Sequence, residues 1–224
     1  MRIRRISMSE SFYGMELIGE GRNKWSYSVD GIEDFEEALN RKKQGLSLDG
    51  SVIGFLSYET GNGYKPFDLE KGVYFESRAG VTCIDGVLYF LKLDLNVDKI
   101  FIISYEPLKG VVKEVASLDF EGIDFYYSLF IGKSPVCVYS YLGDEFDETE
   151  DFVMYYPEKI KFEIPNGANF ICMDENKFYF RLYFEEENNY YHEIWIYDKS
   201  GKVISKEKGY LQEMPNGDYW ILEK

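Results

Sequence analysis

Ile32, Phe35, Ala38 and Leu39 recur at spacings of three and four, which gathers them on one face of a helix. Glu33, Asp34, Glu36 and Glu37 load its first half with acid, and Arg41, Lys42 and Lys43 load its second with base. That order complements the helix dipole, and Gly45 supplies a stop. The pattern predicts a helix over residues 32–44, introduced by Asp30-Gly31. From Ser51 onward the period changes to two. Short aromatic and β-branched runs predict strands at 52–58, 72–76, 80–84, 87–93, 99–104, 111–115, 125–131 and 136–141. Further strands are expected at 152–155, 160–164, 169–173, 178–184, 192–197, 202–206 and 218–222. Asp85-Gly86, Asn166-Gly167, Ser200-Gly201 and Asn216-Gly217 punctuate them with residues that tolerate positive φ. Short strands joined this way are antiparallel meanders.

The chain also repeats itself. Glu163-Ile-Pro-Asn-Gly-Ala-Asn-Phe-Ile171 matches Glu213-Met-Pro-Asn-Gly-Asp-Tyr-Trp-Ile221 at an offset of 50 residues, counted from Pro165 to Pro215. A looser copy joins residues 111–115, Glu121-Gly122 and Phe125-Tyr126-Tyr127. Each unit reads strand, turn, strand, longer acidic loop, strand, turn, strand. A period of roughly 40–50 residues with four strands per unit is the rhythm of propeller blades. One four-stranded sheet cannot bury both faces alone, whereas stacked neighbours can. The sequence therefore predicts a single all-β domain over 1–224, built of consecutive antiparallel four-stranded meanders, propeller-like, with one helix. Its repeat units fall at about 80–122, 123–166 and 167–216, and a two-sheet sandwich is the alternative. Residues 2–6 are expected to complete the sheet of the last strand and close the ring.

Composition supports a packed core: of 224 residues, 45% are hydrophobic and 18% aromatic. The formal net charge of −15 repels phosphate backbones and anionic headgroups. Neither nucleic acid nor a membrane is an expected partner; a basic protein is. Cys83, Cys137 and Cys172 are odd in number and form no C-x-x-C, which suits a reducing compartment and buried thiols. No apolar run approaches the ~20 residues of a membrane span and no signal-peptide pattern opens the chain, so the expected location is cytoplasmic.

Candidate chemistry is sparse. His192 is the one histidine, so triads and His-based metal cages depend on it alone, and its alternating strand makes a cross-strand polar contact the expectation. Asp144, Glu145, Asp147, Glu148, Glu150 and Asp151 form a dense acidic run without the spacing of a calcium loop. Glu185-Glu186-Glu187-Asn188-Asn189 is a second acidic loop one unit later. Phosphate-loop, dinucleotide and nucleophile-elbow motifs do not occur.

Gly54-Phe-Leu-Ser-Tyr-Glu59 resembles the G-[YF]-[LI]-S-Y-[DE] segment in the N-terminal β domain of component I of anthranilate and aminodeoxychorismate synthases. Leu17 followed by Trp25-Ser26-Tyr27-Ser28 is similar to that family's Leu-Glu-Ser … Arg-Tyr-Ser entry. The helix at 32–44 and the strands within 72–93 fall in corresponding places, so the resemblance covers residues 16–95. In that family the chorismate- and magnesium-binding residues lie in a C-terminal catalytic domain, which has no counterpart in residues 96–224. Catalysis is therefore not implied. The effector motif Leu-Glu-Ser is replaced here by Leu17-Ile18-Gly19, so the resemblance implies no effector site either. By its own residues the quoted stretch is a strand ending in a Gly61-Asn62-Gly63 turn.

These readings converge on a non-enzymatic binding module without cofactor or metal. Its partner-binding candidates are Asp144, Glu145, Asp147, Glu148, Glu185 and Glu186. A carboxylate-using enzyme or a chorismate-synthase-like regulatory domain is the alternative.

Overall fold

The structure is a computed structural model that describes residues 15–18, 25–32, 34–78, 80–144, 146–186, 189–214 and 218–222; the side chains of Leu17, Glu186 and Asn189 are outside this set. It is mostly β, with antiparallel sheets laid down in chain order and no closed barrel among them. The chain divides into two compact units, Met1–Ile131 and Gly132–Lys224.

The first unit holds two sheets. One contains β1 (Glu16–Leu17), β2 (Trp25–Gly31), β3 (Ser51–Ser57) and β4 (Gly63–Tyr64), with α1 (Phe35–Lys43) inserted between β2 and β3. The other contains β5 (Val73–Phe75), β6 (Val81–Ile84), β7 (Val87–Asp94), β8 (Lys99–Glu106) and β9 (Val111–Asp119). Asp85 and Gly86 both take positive φ in the β6–β7 turn, as that dipeptide requires. Phe55 of the first sheet meets Phe90 and Tyr105 of the second, at ring-centroid distances of 5.5 and 5.8 Å. Trp25, Tyr27, Val29, Ile53 and Phe75 complete this core. On the second sheet Leu91, Leu93, Ile100 and Ile102 are also buried, although they lie outside that cluster.

Helix α1 starts three residues later than its apolar spacing predicts. Asp34 is the N-cap, its carboxylate accepting from the Glu36 amide at 2.7 Å. Asp30 and Gly31 belong instead to β2, paired with Val52 and Ser51 of β3. Phe35, Ala38 and Leu39 form the buried face, and Lys42 ties the last turn to the second sheet through the Leu95 carbonyl and Asp98.

The second unit holds three sheets, the boundary falling within β10 (Phe130–Lys133). β10, β11 (Val136–Leu142), β12 (Thr149–Tyr156) and β13 (Ile160–Pro165) form the third sheet. β14 (Asn169–Asp174), β15 (Lys177–Glu186), β16 (Asn189–Asp198) and β17 (Val203–Lys208) form the fourth. β18 (Tyr210–Glu213) and β19 (Tyr219–Leu222) pair as a short fifth. Phe152 centres the core between the third and fourth sheets, within 6.2 Å of six other aromatic rings. On the opposite face of the fourth sheet, Cys172, Ile194 and Ile196 pack with Leu211 of the fifth. The fourth sheet is thus covered on both faces, the stacked arrangement that lets a four-stranded meander bury its strands.

Cys137 and Cys172 are buried, one in each of these two layers, and burial pushes both thiols up to about 12. Gly132 makes room for the first: a Cβ there would stand 2.5 Å from the Cys137 sulfur. Gly201 serves the turn before β17 likewise, at φ +81°, with Phe162 filling the space a side chain would need.

Three features differ from the sequence pattern. Residues 125–128 are not strand: Asp124 accepts from the Tyr126 amide at 3.1 Å and holds the segment in a turn. The surroundings of the two Pro-Asn-Gly copies differ, since the first crosses from β13 to β14 between sheets while the strands flanking the second, β18 and β19, pair with each other. Strands β1, β2, β4 and β18 fall outside the predicted set. Residues 2–6 and Asn216-Gly217 lie outside the described residues.

Candidate functional site

The acidic run 144–148 is the link between the second and third strands of the third sheet. Its shape comes from hydrogen bonds to the crossing that follows β13. The Asn166 side-chain amide donates to the carbonyls of Asp144 and Asp147, both at 2.9 Å, and the Asn166 backbone donates to Glu148 at 3.0 Å. Asp147 closes the turn onto the Asp144 carbonyl at 3.1 Å. Gly167 donates to the Glu150 carboxylate at 3.1 Å; burial raises that carboxyl's pKa and the hydrogen bond partly offsets it. Asp151 forms an ion pair with Lys161 at 2.8 Å. The carboxylates of Asp144, Asp147 and Glu148 remain exposed. Glu145 lies outside the described residues.

Asn166 is the staple. Asn166→Ala is expected to cost about 1 kcal/mol and to speed amide exchange across residues 144–147. Unchanged exchange there would mean that the loop holds its form without it.

Of the second acidic segment, Glu185 and Glu186 end β15 and Asn189 opens β16, while residues 187–188 lie outside the described residues. Asn169, at the start of β14, pairs with Arg181 of β15, and β15 then runs five residues further to Glu186. The end of β15 thus points toward the crossing that carries Asn166, as the link 144–148 does. Glu185 is exposed opposite Tyr190, and Glu186 pairs through its backbone with Asn189.

His192 pairs across the ladder with Tyr183, but the contact is aromatic rather than polar. Its ring lies 5.4 Å from Tyr183 and 5.1 Å from Tyr210. Tyr183 and Tyr190 stack at 6.0 Å with planes 14° apart, and both are more than half exposed. The predicted strand 178–184 contains Tyr183, but 192–197 stops short of Tyr190. Its signal was the tyrosine on each side of the acidic run.

The other group that sequence reasoning missed is Glu76, just after β5 and only 4% exposed. Burial pushes its carboxyl up to about 7, against hydrogen bonds from the Arg78 and Phe35 amides. The space between Glu76 and residues 125–129 is about 10 Å³, room for a single water rather than a substrate. A wider, open depression of about 620 Å³ beside α1 carries Arg41 and Arg78. Glu37 lies 3.2 Å from the first and Asp34 3.6 Å from the second.

The stretch Gly54–Glu59 is architectural over most of its length: Gly54, Phe55 and Ser57 are buried, while Tyr58 and Glu59 are exposed. Among the described residues no group of three or more His, Cys, Asp or Glu side chains could hold a metal ion. Among them, too, no helix is long and apolar enough to cross a membrane. No family model and no curated protein matches the chain.

Proposed function

We propose that the protein is a binding module whose second unit captures a basic protein partner along the edge formed by the two acidic links. The observation that carries this reading is their topological equivalence. Residues 144–148 follow the second strand of the third sheet, and Glu185 and Glu186 end the second strand of the fourth, so both sets of charge stand at the end of a second strand in consecutive sheets. A shared negative potential steers a cationic partner and speeds its association in a salt-dependent way. The link 144–148 is held by Asn166, so capture by it does not require ordering a free loop.

Charge reversal of Asp144, Glu145, Glu185 and Glu186 together tests the reading. Partner capture should fall sharply at low salt, with a smaller difference at moderate salt. Capture unchanged at both would end it.

A further inference from the structure

We propose that the open faces of Tyr183 and Tyr190, with Glu185 beside them, seat arginine side chains of that partner. The inference rests on the basic-partner reading above and names the surface and the chemistry of recognition. Register puts Arg181, Tyr183 and Glu185 of β15 on one face with Tyr190, His192 and Ile194 of β16. The lower part of this face is covered: Ile194 packs with Leu211 of β18. The upper part runs past that cover, leaving Tyr183 at 55% and Tyr190 at 56% exposure.

The hairpin already pairs rings with cations from its own chain. The Arg181 guanidinium lies 4.4 Å above the Tyr210 ring, Lys206 lies 3.1 Å from Trp195 and Lys208 lies 4.7 Å from Tyr191. Each of those rings has a cation supplied in cis. Tyr183 and Tyr190 offer two further, nearly parallel ring faces. Glu185 pairs with Tyr190 across the ladder and adds an exposed acidic residue to the same face. A ring face beside a carboxylate is the pairing a guanidinium satisfies best, since its plane stacks while its N–H fork binds the acid. Lysine, a compact and strongly hydrated charge, gains less from the same surface.

The test uses fluorescence anisotropy with a labelled oligoarginine peptide, an oligolysine peptide of equal length, a neutral glycine–serine peptide and a soluble β-glucan. The full chain should bind oligoarginine more tightly than oligolysine and bind neither neutral probe. Tyr183→Ala with Tyr190→Ala should weaken oligoarginine binding about tenfold. Tyr183→Phe with Tyr190→Phe, which keeps both ring faces, should restore affinity to within about twofold. The Phe variant also controls for folding, together with circular dichroism of the Ala variant. If ring removal changes nothing while reversal of Asp144, Asp147 and Glu148 weakens binding, the aromatic seat is overturned and the acidic-edge reading stands. If oligoarginine binds no better than the neutral peptide, both fall. Ring-dependent binding of β-glucan without ring-dependent binding of oligoarginine would overturn the proposal in favour of a sugar platform.

Discussion

Phe152→Ala is expected to cost about 3–5 kcal/mol. The residue is fully buried on β12, and its ring meets Tyr139 and Tyr141 of β11 and Phe162 of β13. It also meets Phe170, Phe178 and Phe180 of the fourth sheet, at 5.0 to 6.2 Å. Aromatic pairs contribute beyond their buried area, so truncation removes transfer energy, several ring contacts and packing at once. The neighbours cannot collapse into the gap, because Phe162, Phe178 and Phe180 also lean on one another or on Tyr197. Urea denaturation should show a lower midpoint with an unchanged slope. A loss below about 1 kcal/mol would mean that the sheets repack readily and that the ring cluster is not the centre of this unit.

Glu76→Gln should stabilise the protein at about pH 8 and do nothing near pH 4. The carboxyl is raised from 4.5 to about 7 in the folded chain, first by burial and then by Asp34, against hydrogen bonds from Arg78 and Phe35 and the Arg78 charge. The folded state therefore holds the proton over a pH range in which the unfolded chain has released it. Stability falls as pH rises from about 4.5 through about 7, and the whole cost is present above that window. Glutamine keeps an oxygen to accept from the backbone amides but carries no charge to desolvate. The gain at high pH should be on the order of 1–3 kcal/mol, vanishing as the wild-type carboxyl protonates. Melting temperatures of the two proteins across the range give the check. Parallel curves would show that Glu76 titrates as an ordinary carboxyl.

Much of this architecture can be read in the residues themselves. Alternation identified most strands from β3 onward, and turn dipeptides such as Asp85-Gly86 gave their connections. The helix start is ambiguous in the sequence because Asp30 and Asp34 each stand within three residues of a following glutamate. The pairing of Asp30 with Val52, a contact between distant residues, draws Asp30 into β2 and leaves Asp34 as the cap. Residues 125–128 have strand-like aromatics, but a single side-chain oxygen on Asp124 outweighs that propensity. The acidic segments were legible as charge, while what holds Asp144 and Asp147 in one turn lies 22 and 19 residues away at Asn166. The tyrosine pair was hidden because its exposure depends on how far β15 and β16 run past the cover of β18. The carboxyl of Glu76 left no local trace, since its environment comes from α1 and the loop at 125–129.

Cys137 and Cys172 also make two built-in clocks. Their thiols sit in different layers of the second unit, and both are held protonated and shielded, so an alkylating reagent must wait for local opening. Each modification rate then counts how often its own layer breathes: Cys137 between the third and fourth sheets, Cys172 between the fourth and fifth. The fifth sheet has only two strands to hold its layer shut, so the Cys172 clock should run faster. One chain without added labels would thus report the relative cohesion of two neighbouring interfaces.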